Sequence, residues 1–494
     1  MSVVSALVAI CTLLGQTRGD AAGQQPDYVS RVASHLDRMM SVGLDRYGPE
    51  HSGLWLASID LRQGGCAEDK PAHLRWYRDI YSPRGSNLYW DLPLLEAAYE
   101  VSRLTGRERY ARGADQYLRC FLQKCAGTPS GLFQWGNHIY YDVFTDRVVG
   151  FSGSHHECRP HTPTWDRFWS LDPQRTERAI VAIGQGHVCN PESGLFCRHA
   201  DVRGVAVEAK PKADAAVHSF LEAGGVIVES LCWLAARKES PERERLIELA
   251  HRTAAYSFAQ RDARSGLLRN QPNKRRWDYE TATSEVGLWA GCLLRAAARV
   301  QDDRFQAMAA AAVRAWVTAA YDERRGMYFG TVNVEDAAPR EFPPPRGYWP
   351  PKYAEVFDLA TRPTHNYPMP MAEACLTLYQ RTQEEVFRQA VARWIGQVER
   401  SLPANGGQGA CAEDYGRAIH FLVRAAQELD DTRARGLAQQ VAEESVRLLY
   451  AGQYGMFRSH PGEDRCDAVD GPGILMLALI YLQNGSLGAA DFGF

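Results

Sequence analysis

Residues 135–169 concentrate side chains that can take part in catalysis. Their sequence, WGNHIYYDVFTDRVVGFSGSHHECRPHTPTWDRFW, places four histidines beside a glutamate, an arginine and several tyrosine and tryptophan rings. Imidazoles transfer protons near neutral pH, and together with carboxylates they bind divalent cations. Glycine and proline recur through the stretch and interrupt any helix. We therefore expect a long irregular segment that a helical scaffold holds in place.

The motif GNH at residues 136–138, followed by YYD at 140–142, supplies the first candidates. His138 is a candidate catalytic base. Asn137 can hold a substrate carboxylate by a hydrogen bond, and Tyr141 is a candidate substrate contact. These residue types together indicate proton transfer next to a bound polar substrate.

The motif HHECRPH at residues 155–161 permits two interpretations. In the first, His155, Glu157 and His161 bind a divalent metal ion such as Mn, Ca or Zn. In the second, Arg159 and a protonated His156 neutralise a substrate carboxylate. The spacing HExxH of zinc peptidases does not occur here, and both interpretations stay open.

A third motif, AEDYGR at residues 412–417, lies at the start of a predicted helix. Tyr415 is a candidate phenolic base, and Arg417 is a candidate substrate contact. Glu413 and Asp414 can equally be partners of the helix dipole, which favours acidic residues in the first turn.

The scaffold that must position these motifs is a repeat of helical hairpins. Apolar helices are predicted at residues 88–104, 221–237, 284–300, 369–379, 415–428 and 470–482, and most are followed by a polar turn and a second, amphipathic helix. From residue 221 onward, the predicted apolar helices begin 46 to 85 residues apart. Stacked units of this kind share one core, and a helix that is apolar nearly all round is buried.

Alternating buried and amphipathic helices predict an all-α fold, an (α/α)6–7 toroid of helical hairpins. The loops that precede the inner helices then meet at one mouth, and the Pro-rich residues 341–353 form another loop. Aromatic and basic side chains in these loops suit a sugar polymer, whose C–H faces stack on rings. The candidate substrate contacts are Trp90, His218, Trp277, Tyr279, His365, Tyr367 and Arg417.

Composition and the first residues bear on location and partners. The net charge of −3 and the lack of a basic run argue against a nucleic-acid partner. Residues 3–14 are apolar over about the length of a signal-peptide core and too short to span a bilayer. We expect a signal peptide over residues 1–22, a single toroid domain over residues 27–494 and export to the periplasm or the medium. A monomer or a homodimer fits the chain equally well.

The chain has twelve cysteines, of which Cys11 falls in the predicted signal peptide. In an exported protein, cysteines in loops often pair. We therefore predict at least one disulfide among the loop-like cysteines. The candidates are Cys66, Cys120, Cys125, Cys158, Cys189 and Cys197.

The hairpin plan together with GNH and HHECRPH resembles the α/α-toroid polysaccharide lyases that cleave uronic-acid polymers. The stretch HHECRPHTPTWDRFW is similar to the pectate lyases of polysaccharide lyase family 2. The resemblance implies metal-binding histidine and glutamate residues and an adjacent arginine that serves the substrate carboxylate. A catalytic lysine is matched only by the candidates Lys274 and Lys352.

The resemblance implies β-elimination from a uronate polymer such as pectate, alginate, glucuronan or a glycosaminoglycan. That reaction needs a cation at the carboxylate, a base for the C5 proton and an acid for the leaving oxygen. A toroid glycoside hydrolase is the main alternative, with its two carboxylates among Asp142, Glu157, Glu413 and Asp414. A sugar epimerase and a carbohydrate-binding toroid without activity are further alternatives.

Overall fold

The computed structural model describes residues 27–69, 71–72, 79–150, 154–159, 161–204, 219–271, 280–341, 351–359 and 368–488. The predicted signal peptide lies outside these residues. So do Lys274 and the predicted substrate contacts His218, Trp277, Tyr279, His365 and Tyr367.

Helices make up most of the described residues. They are α1 (Tyr28–Val42), α2 (Leu88–Thr105), α3 (Arg109–Cys125), α4 (Trp165–Leu171), α5 (Pro173–His187), α6 (Leu221–Ala235), α7 (Glu242–Ala259), α8 (Thr283–Val300), α9 (Asp303–Ala319), α10 (Met369–Thr382), α11 (Glu385–Arg400), α12 (Ala412–Leu429), α13 (Thr432–Leu449) and α14 (Pro472–Asn484). Within the described ranges, none of these helices is both long and apolar enough to cross a membrane.

Short antiparallel strands join the hairpins. They are β1 (Ser58–Asp60), β2 (Gly65–Cys66), β3 (Gly85–Ser86), β4 (Tyr140–Asp142), β5 (Arg147–Val149), β6 (His155–Glu157), β7 (Val188–Asn190), β8 (Leu195–Phe196), β9 (His199–Asp201), β10 (Thr281–Ala282), β11 (Tyr321–Asp322), β12 (Met327–Tyr328), β13 (Thr331–Val332), β14 (Tyr450–Ala451), β15 (Met456–Phe457) and β16 (Arg465–Asp467). The largest sheets have three strands, in the orders β16–β1–β2 and β3–β4–β5.

The helices form two concentric rings. Along the inner ring, α6 packs on α8, α8 on α10, α10 on α12, α12 on α14, and α14 returns to α2. The short α4 lies between α2 and α6, where Arg167 pairs with Glu96 and the Trp165 indole donates to Ser230 Oγ. Each inner helix packs on an outer helix that is its neighbour along the chain, and α1 packs on α14. Among the described residues, six hairpins and the α1–α14 pair therefore close into an all-α toroid, which confirms the predicted fold class.

The burial of the helices explains their places in the two rings. Every residue of α6 is buried, as its sequence LEAGGVIVESLCWLA predicts for a helix surrounded by protein. The outer helix α3 buries one stripe and leaves Arg109, Arg112 and Arg119 exposed on the other side. Inner helices also approach each other closely, since a Cβ atom on Gly287 would lie 2.4 Å from the backbone nitrogen of Met371 in α10.

The start of α2 is tied to the GNH motif. The side-chain oxygen of Asn87 accepts a hydrogen bond from Tyr89 N and so caps the helix. Its amide nitrogen donates to Ser82 Oγ at 3.1 Å and to the carbonyl of Gly136 at 3.4 Å. The N-terminal ends of the inner helices and the loop carrying the histidines therefore meet at the same end of the toroid.

The predicted disulfide is not formed. No two cysteines among the described residues are joined, and the loop-like Cys66 instead donates a hydrogen bond from Sγ to the carbonyl of Pro83. Cys125 and Cys158 are both buried.

Candidate active site

The segment HHE at the centre of the predicted loop forms strand β6, which pairs with β9. His155 lies opposite Asp201, His156 opposite Ala200 and Glu157 opposite His199. Side chains alternate between the two faces of a strand. Glu157 and His199 therefore share one face, whereas His156 points to the other.

Glu157 is the centre of the cluster on the first face. Its Oε1 lies 3.3 Å from His199 Nε2, 3.6 Å from Arg159 Nε and 3.8 Å from Arg198 Nε. Its Oε2 accepts a hydrogen bond from the backbone nitrogen of Asn137 at 3.3 Å. Burial alone would raise the pKa of this carboxyl. The charge of Arg159, the hydrogen bond from His199 and the charge of Arg198 outweigh burial and hold that pKa well below its usual value.

The two arginines of the cluster lie at different depths. Arg159 is 2% exposed, and its Nη1 lies 3.7 Å from Glu222 Oε1 at the start of α6. The side chains of Arg198 and His199 keep 15% and 23% of their surface exposed. The Arg198 guanidinium also lies 4.7 Å from the centre of the Phe220 ring. Arg198 and His199 are therefore the members of the cluster that a substrate can reach directly.

The sequence analysis did not identify Arg198 and His199. They come 41 and 42 residues after Glu157, and only the pairing of β6 with β9 brings them together. The segment CRHAD at residues 197–201 repeats the residue types of HHECRPH, and this similarity was the available signal.

Tyr89, in the first turn of α2, is a further member that the sequence analysis missed. Its ring lies edge-on to His161, with 5.0 Å between ring centres, and its hydroxyl has no hydrogen-bond partner among the described residues. Burial raises the pKa of the phenol well above its usual value, although the charge of Arg159 opposes this. The phenol is therefore a neutral donor next to the cluster.

The structure does not bring the predicted metal ligands His155, Glu157 and His161 together. His161 packs against the rings of Tyr89 and Trp90, and no cluster of His155, Glu157 and His161 forms among the described residues. Burial and the charges of Arg417 and Arg159 lower the pKa of His161 to about 3. His199 occupies the place beside Glu157 that the prediction assigned to His161. The reason is that the neighbouring strand β9 provides this contact, whereas the loop after β6 does not.

His156 is not part of this face either. Its Nδ1 lies 2.8 Å from His187 Nε2 at the end of α5, and both residues are buried. Burial and the neighbouring His187 lower the pKa of His156 well below its usual value. The buried position of His156, on the face opposite Glu157, does not favour its predicted role in binding a carboxylate.

The GNH turn packs directly on Glu157. The backbone nitrogen of Glu157 donates to the carbonyl of Trp135 at 2.8 Å. Gly136 has φ +153°, and a Cβ atom at this position would lie 2.8 Å from Glu157 Cβ. His138 is half-buried in this turn. Asn137 is buried, so its contribution to Glu157 comes from the main chain, while Oδ1 has no partner among the described residues.

Several other predicted residues face away from the cluster. Tyr415 donates from Oη to Glu444 of the outer helix α13 at 2.7 Å, and burial raises the pKa of its phenol. Tyr141 is buried next to Lys124 of the outer helix α3. Lys352 lies 3.6 Å from Glu341 and is partly exposed. The predicted phenolic base at Tyr415 is wrong, because its hydroxyl is directed to the outer ring.

Arg417 and Trp90 lie within the protein. The Arg417 guanidinium donates twice to Glu413 Oε1, at 2.8 and 2.6 Å, and only 1% of the residue is exposed. Its charge still reaches His161, whose pKa it lowers. Trp90 is 6% exposed and packs near Leu94 and Cys466. Both residues support the floor of the site.

The carboxylates that a hydrolase would use are bound within the protein. Asp142 accepts hydrogen bonds from Phe144 N and Thr145 N in a turn. Glu413 is paired with Arg417, and Asp414 accepts from the backbone nitrogen of Asp358. Each of these acids therefore has a structural role, which does not favour the paired-carboxylate alternative.

Glu157 and His199 bring two residue types that bind divalent cations close together, with 3.3 Å between Glu157 Oε1 and His199 Nε2. A carboxylate oxygen with an imidazole nitrogen suits Mn or Zn better than Ca, which prefers oxygen ligands.

Two sequence comparisons match part of the chain to pectate lyases. Residues 63–221 match a family model described as periplasmic pectate lyase. The pectate disaccharide-lyase of Dickeya dadantii is 23% identical over 181 residues, which cover 36% of this chain. The match spans only 32% of that relative's own length. All the members of the Glu157 cluster except Glu222 lie within the matched residues.

Solved structures are similar over nearly the whole chain, at low identity. A GH76 alpha-mannanase from Bacteroides thetaiotaomicron is 12% identical, with 93% of this chain and 97% of that chain covered and a TM-score of 0.48. An unsaturated glucuronyl hydrolase specific for heparin is 8% identical, with 95% and 100% covered and a TM-score of 0.48.

Proposed function

We propose that this protein is a carbohydrate-active enzyme and, more specifically, a polysaccharide lyase that cleaves a uronic-acid polymer by β-elimination. The observation that carries the proposal is the cluster of Arg198, His199 and Glu157 on one face of the β6–β9 pair. The match of residues 63–221 to a periplasmic pectate lyase model supports the same class and supports export.

Arg198 takes the role that the sequence suggested for Arg159. In β-elimination, negative charge builds up next to the C5 carboxylate, so a fixed cation there stabilises the transition state more than the bound substrate. The partly exposed Arg198 guanidinium can reach that carboxylate. Arg159 lies beneath it between Glu157 and Glu222 and holds both carboxylates in place.

Glu157 and His199 would hold a divalent ion. When bound, the ion would add positive charge against the substrate carboxylate. Burial lowers the pKa of His199, although the hydrogen bond to Glu157 opposes this. Binding of the ion would displace the proton that His199 Nε2 donates to Glu157.

His138 stays the proposed base for the C5 proton, since its turn packs on Glu157. The roles of His138 and His199 can be separated by varying the cation concentration. His199→Ala should raise the concentration of Mn²⁺ needed for half-maximal turnover. His138→Ala should lower turnover at saturating Mn²⁺.

The proposed reaction is tested by incubating the purified protein with polygalacturonate, alginate, glucuronan and a glycosaminoglycan. A lyase generates an unsaturated uronate, whose conjugated double bond absorbs in the ultraviolet. Reducing ends without this absorbance would show a hydrolase, and binding without either product would show a carbohydrate-binding toroid. Repeating the active reaction with a chelator and then with added Mn²⁺ tests the proposed ion.

A further inference from the structure

A second group of potential metal ligands lies on the opposite face of β6. His156, Cys158 and His187 each offer one ligand atom, and these atoms all lie within 4.8 Å of one another. His156 is 2% exposed, and the other two side chains are fully buried. The lyase mechanism proposed above uses none of them.

The secondary structure brings these three residues together. His156 and Cys158 are two positions apart along the strand direction, so they project from the same face. His187 is the last residue of α5, which packs against β9. Two ligands from a strand and one from a helix end therefore converge from elements that the fold already fixes.

The hydrogen bonds of His187 select the tautomer that a metal requires. Its Nδ1 lies 2.8 Å from the carbonyl oxygen of Cys197, to which it donates. The proton is therefore on Nδ1, and Nε2 carries a lone pair that points at His156 and Cys158. Metal-binding histidines usually have such a carbonyl partner on the second ring nitrogen, because it orients the ring.

We propose that His156, Cys158 and His187 supply three of the four ligands of a buried zinc ion, separate from the ion proposed at Glu157. Two imidazoles and one thiolate are the soft ligand types that favour Zn²⁺. Tetrahedral zinc places two ligand nitrogens about 3.3 Å apart. The present 2.8 Å between His156 Nδ1 and His187 Nε2 must therefore widen by a few tenths of an ångström. On binding, the ion replaces the His156–His187 hydrogen bond. The His156 proton moves from Nδ1 to Nε2, and the Cys158 thiol releases its proton to solvent.

Cobalt substitution tests the site directly, because a thiolate bound to Co²⁺ gives a ligand-to-metal charge-transfer band in the near ultraviolet. The full chain, stripped with a chelator, is titrated with Co²⁺ and then with Zn²⁺. We expect a band that saturates at one equivalent of Co²⁺ and disappears when Zn²⁺ displaces it. Absence of the band in the wild-type protein would overturn the proposal.

Matched variants assign the band. Cys158→Ser should abolish it and lower the zinc content by one equivalent, whereas Cys375→Ser, which alters a buried thiol of α10, should keep both. His199→Gln, on the opposite face, should also keep the band. A band that persists in Cys158→Ser would refute the site. Because the readout needs no polysaccharide, it stands whether or not the lyase activity is found.

A second measurement covers the case in which Cys158→Ser does not fold. Thiol alkylation of the wild-type protein in mild denaturant, mapped by mass spectrometry, should slow at Cys158 when Zn²⁺ is added and stay unchanged at Cys375. Equal labelling of Cys158 with and without Zn²⁺ would contradict the proposal.

Discussion

At the scale of single residues, the site is organised by one buried carboxylate. Glu157 is fully buried, yet two guanidinium groups and an imidazole lie within 3.8 Å of its Oε1. The accessible part of this cluster is the positively charged Arg198 guanidinium together with the His199 imidazole, whereas the buried Arg159 lies between Glu157 and Glu222. A negatively charged substrate would meet this charge without displacing Glu157.

Replacing Arg198 tests where the substrate carboxylate binds. Arg198→Ala should lower kcat on the best uronate polymer by about 10²–10³, by analogy with the loss of one oxyanion donor. Arg198→Lys should recover little of this, because an ammonium group lacks the planar fork of donors. Steady-state kinetics checks the prediction, with Arg112→Lys on the exposed face of α3 as the control. Near wild-type kcat in Arg198→Ala would remove Arg198 from the mechanism.

Replacing Glu157 should affect stability as well as activity. Glu157→Gln leaves Arg159 buried without its full negative partner, a change that typically costs about 3–5 kcal/mol. Urea unfolding followed by circular dichroism measures the loss. Glu323→Gln, which breaks an exposed ion pair with Arg393, should cost at most about 1 kcal/mol. If the two variants lose the same free energy of unfolding, Glu157 does not balance the charge of the cluster.

Tyr415 gives a prediction in the opposite direction. Its hydroxyl bonds to Glu444 of the outer helix, so Tyr415→Phe should keep turnover on the best polymer within a few-fold. Loss of the hydrogen bond should lower the free energy of unfolding by about 1 kcal/mol. Loss of nearly all activity in a folded Tyr415→Phe protein would restore the phenol to the mechanism.

The sequence identified the right neighbourhood but not all of its members. Residues 155–161 were predicted to be irregular, and their alternation on a strand was therefore missed. That alternation puts His156 on the buried face and His199, from 42 residues later, beside Glu157. A pairing between two three-residue strands depends on tertiary contacts, which local sequence patterns do not report.

At the scale of elements, the inner helices were predictable because a fully buried helix is apolar all round. The hairpin of α4 and α5 was missed, since α4 has only seven residues and follows the histidine loop directly. The interpretation of AEDYGR as a helix start was correct, as α12 begins at Ala412. The sequence did not predict which face of each helix points to the mouth of the toroid.

Glycines at helix crossings provide the test at this scale. Gly287→Ala places a Cβ atom 2.4 Å from Met371 N, so α8 and α10 must move apart. Overpacking of this kind costs about 1–3 kcal/mol. Gly436→Ala on the outer helix α13 meets no atom within 4 Å and should stabilise by about 0.5–1 kcal/mol. Chemical denaturation should give a lower free energy of unfolding for Gly287→Ala and a higher one for Gly436→Ala. A stabilised Gly287→Ala variant would refute the close crossing of α8 and α10.

At the scale of the whole molecule, the ring closes where the first described helix meets the last hairpins. His35 of α1 is fully buried there, and its Nδ1 accepts a hydrogen bond from the backbone nitrogen of Phe457 at 3.1 Å. Burial lowers the pKa of His35 to about 3. The closure of the toroid therefore depends on a histidine that must stay neutral.

This histidine gives the closure a pH dependence. Because the folded pKa lies below the unfolded value of about 6.5, the unfolded chain binds the extra proton between these two values. The stability from neutral His35 is complete above pH ~6.5 and is lost as the pH falls towards about 3. His35→Asn keeps an acceptor and should flatten the fall of Tm between roughly pH 6.5 and 4. The exposed His51→Asn serves as the control, and an unchanged slope in His35→Asn would contradict the prediction.

The two faces of β6 also constrain how this chain can change length. A single-residue insertion inside β6 would exchange the side chains that point to the cleft with those that point to the core, whereas a two-residue insertion would preserve their directions. Loops on either side can grow or shrink without this penalty. In distant relatives with the same chemistry, the parity of the spacing between the ligands of this strand should therefore be conserved. The residues between the ligands should vary more.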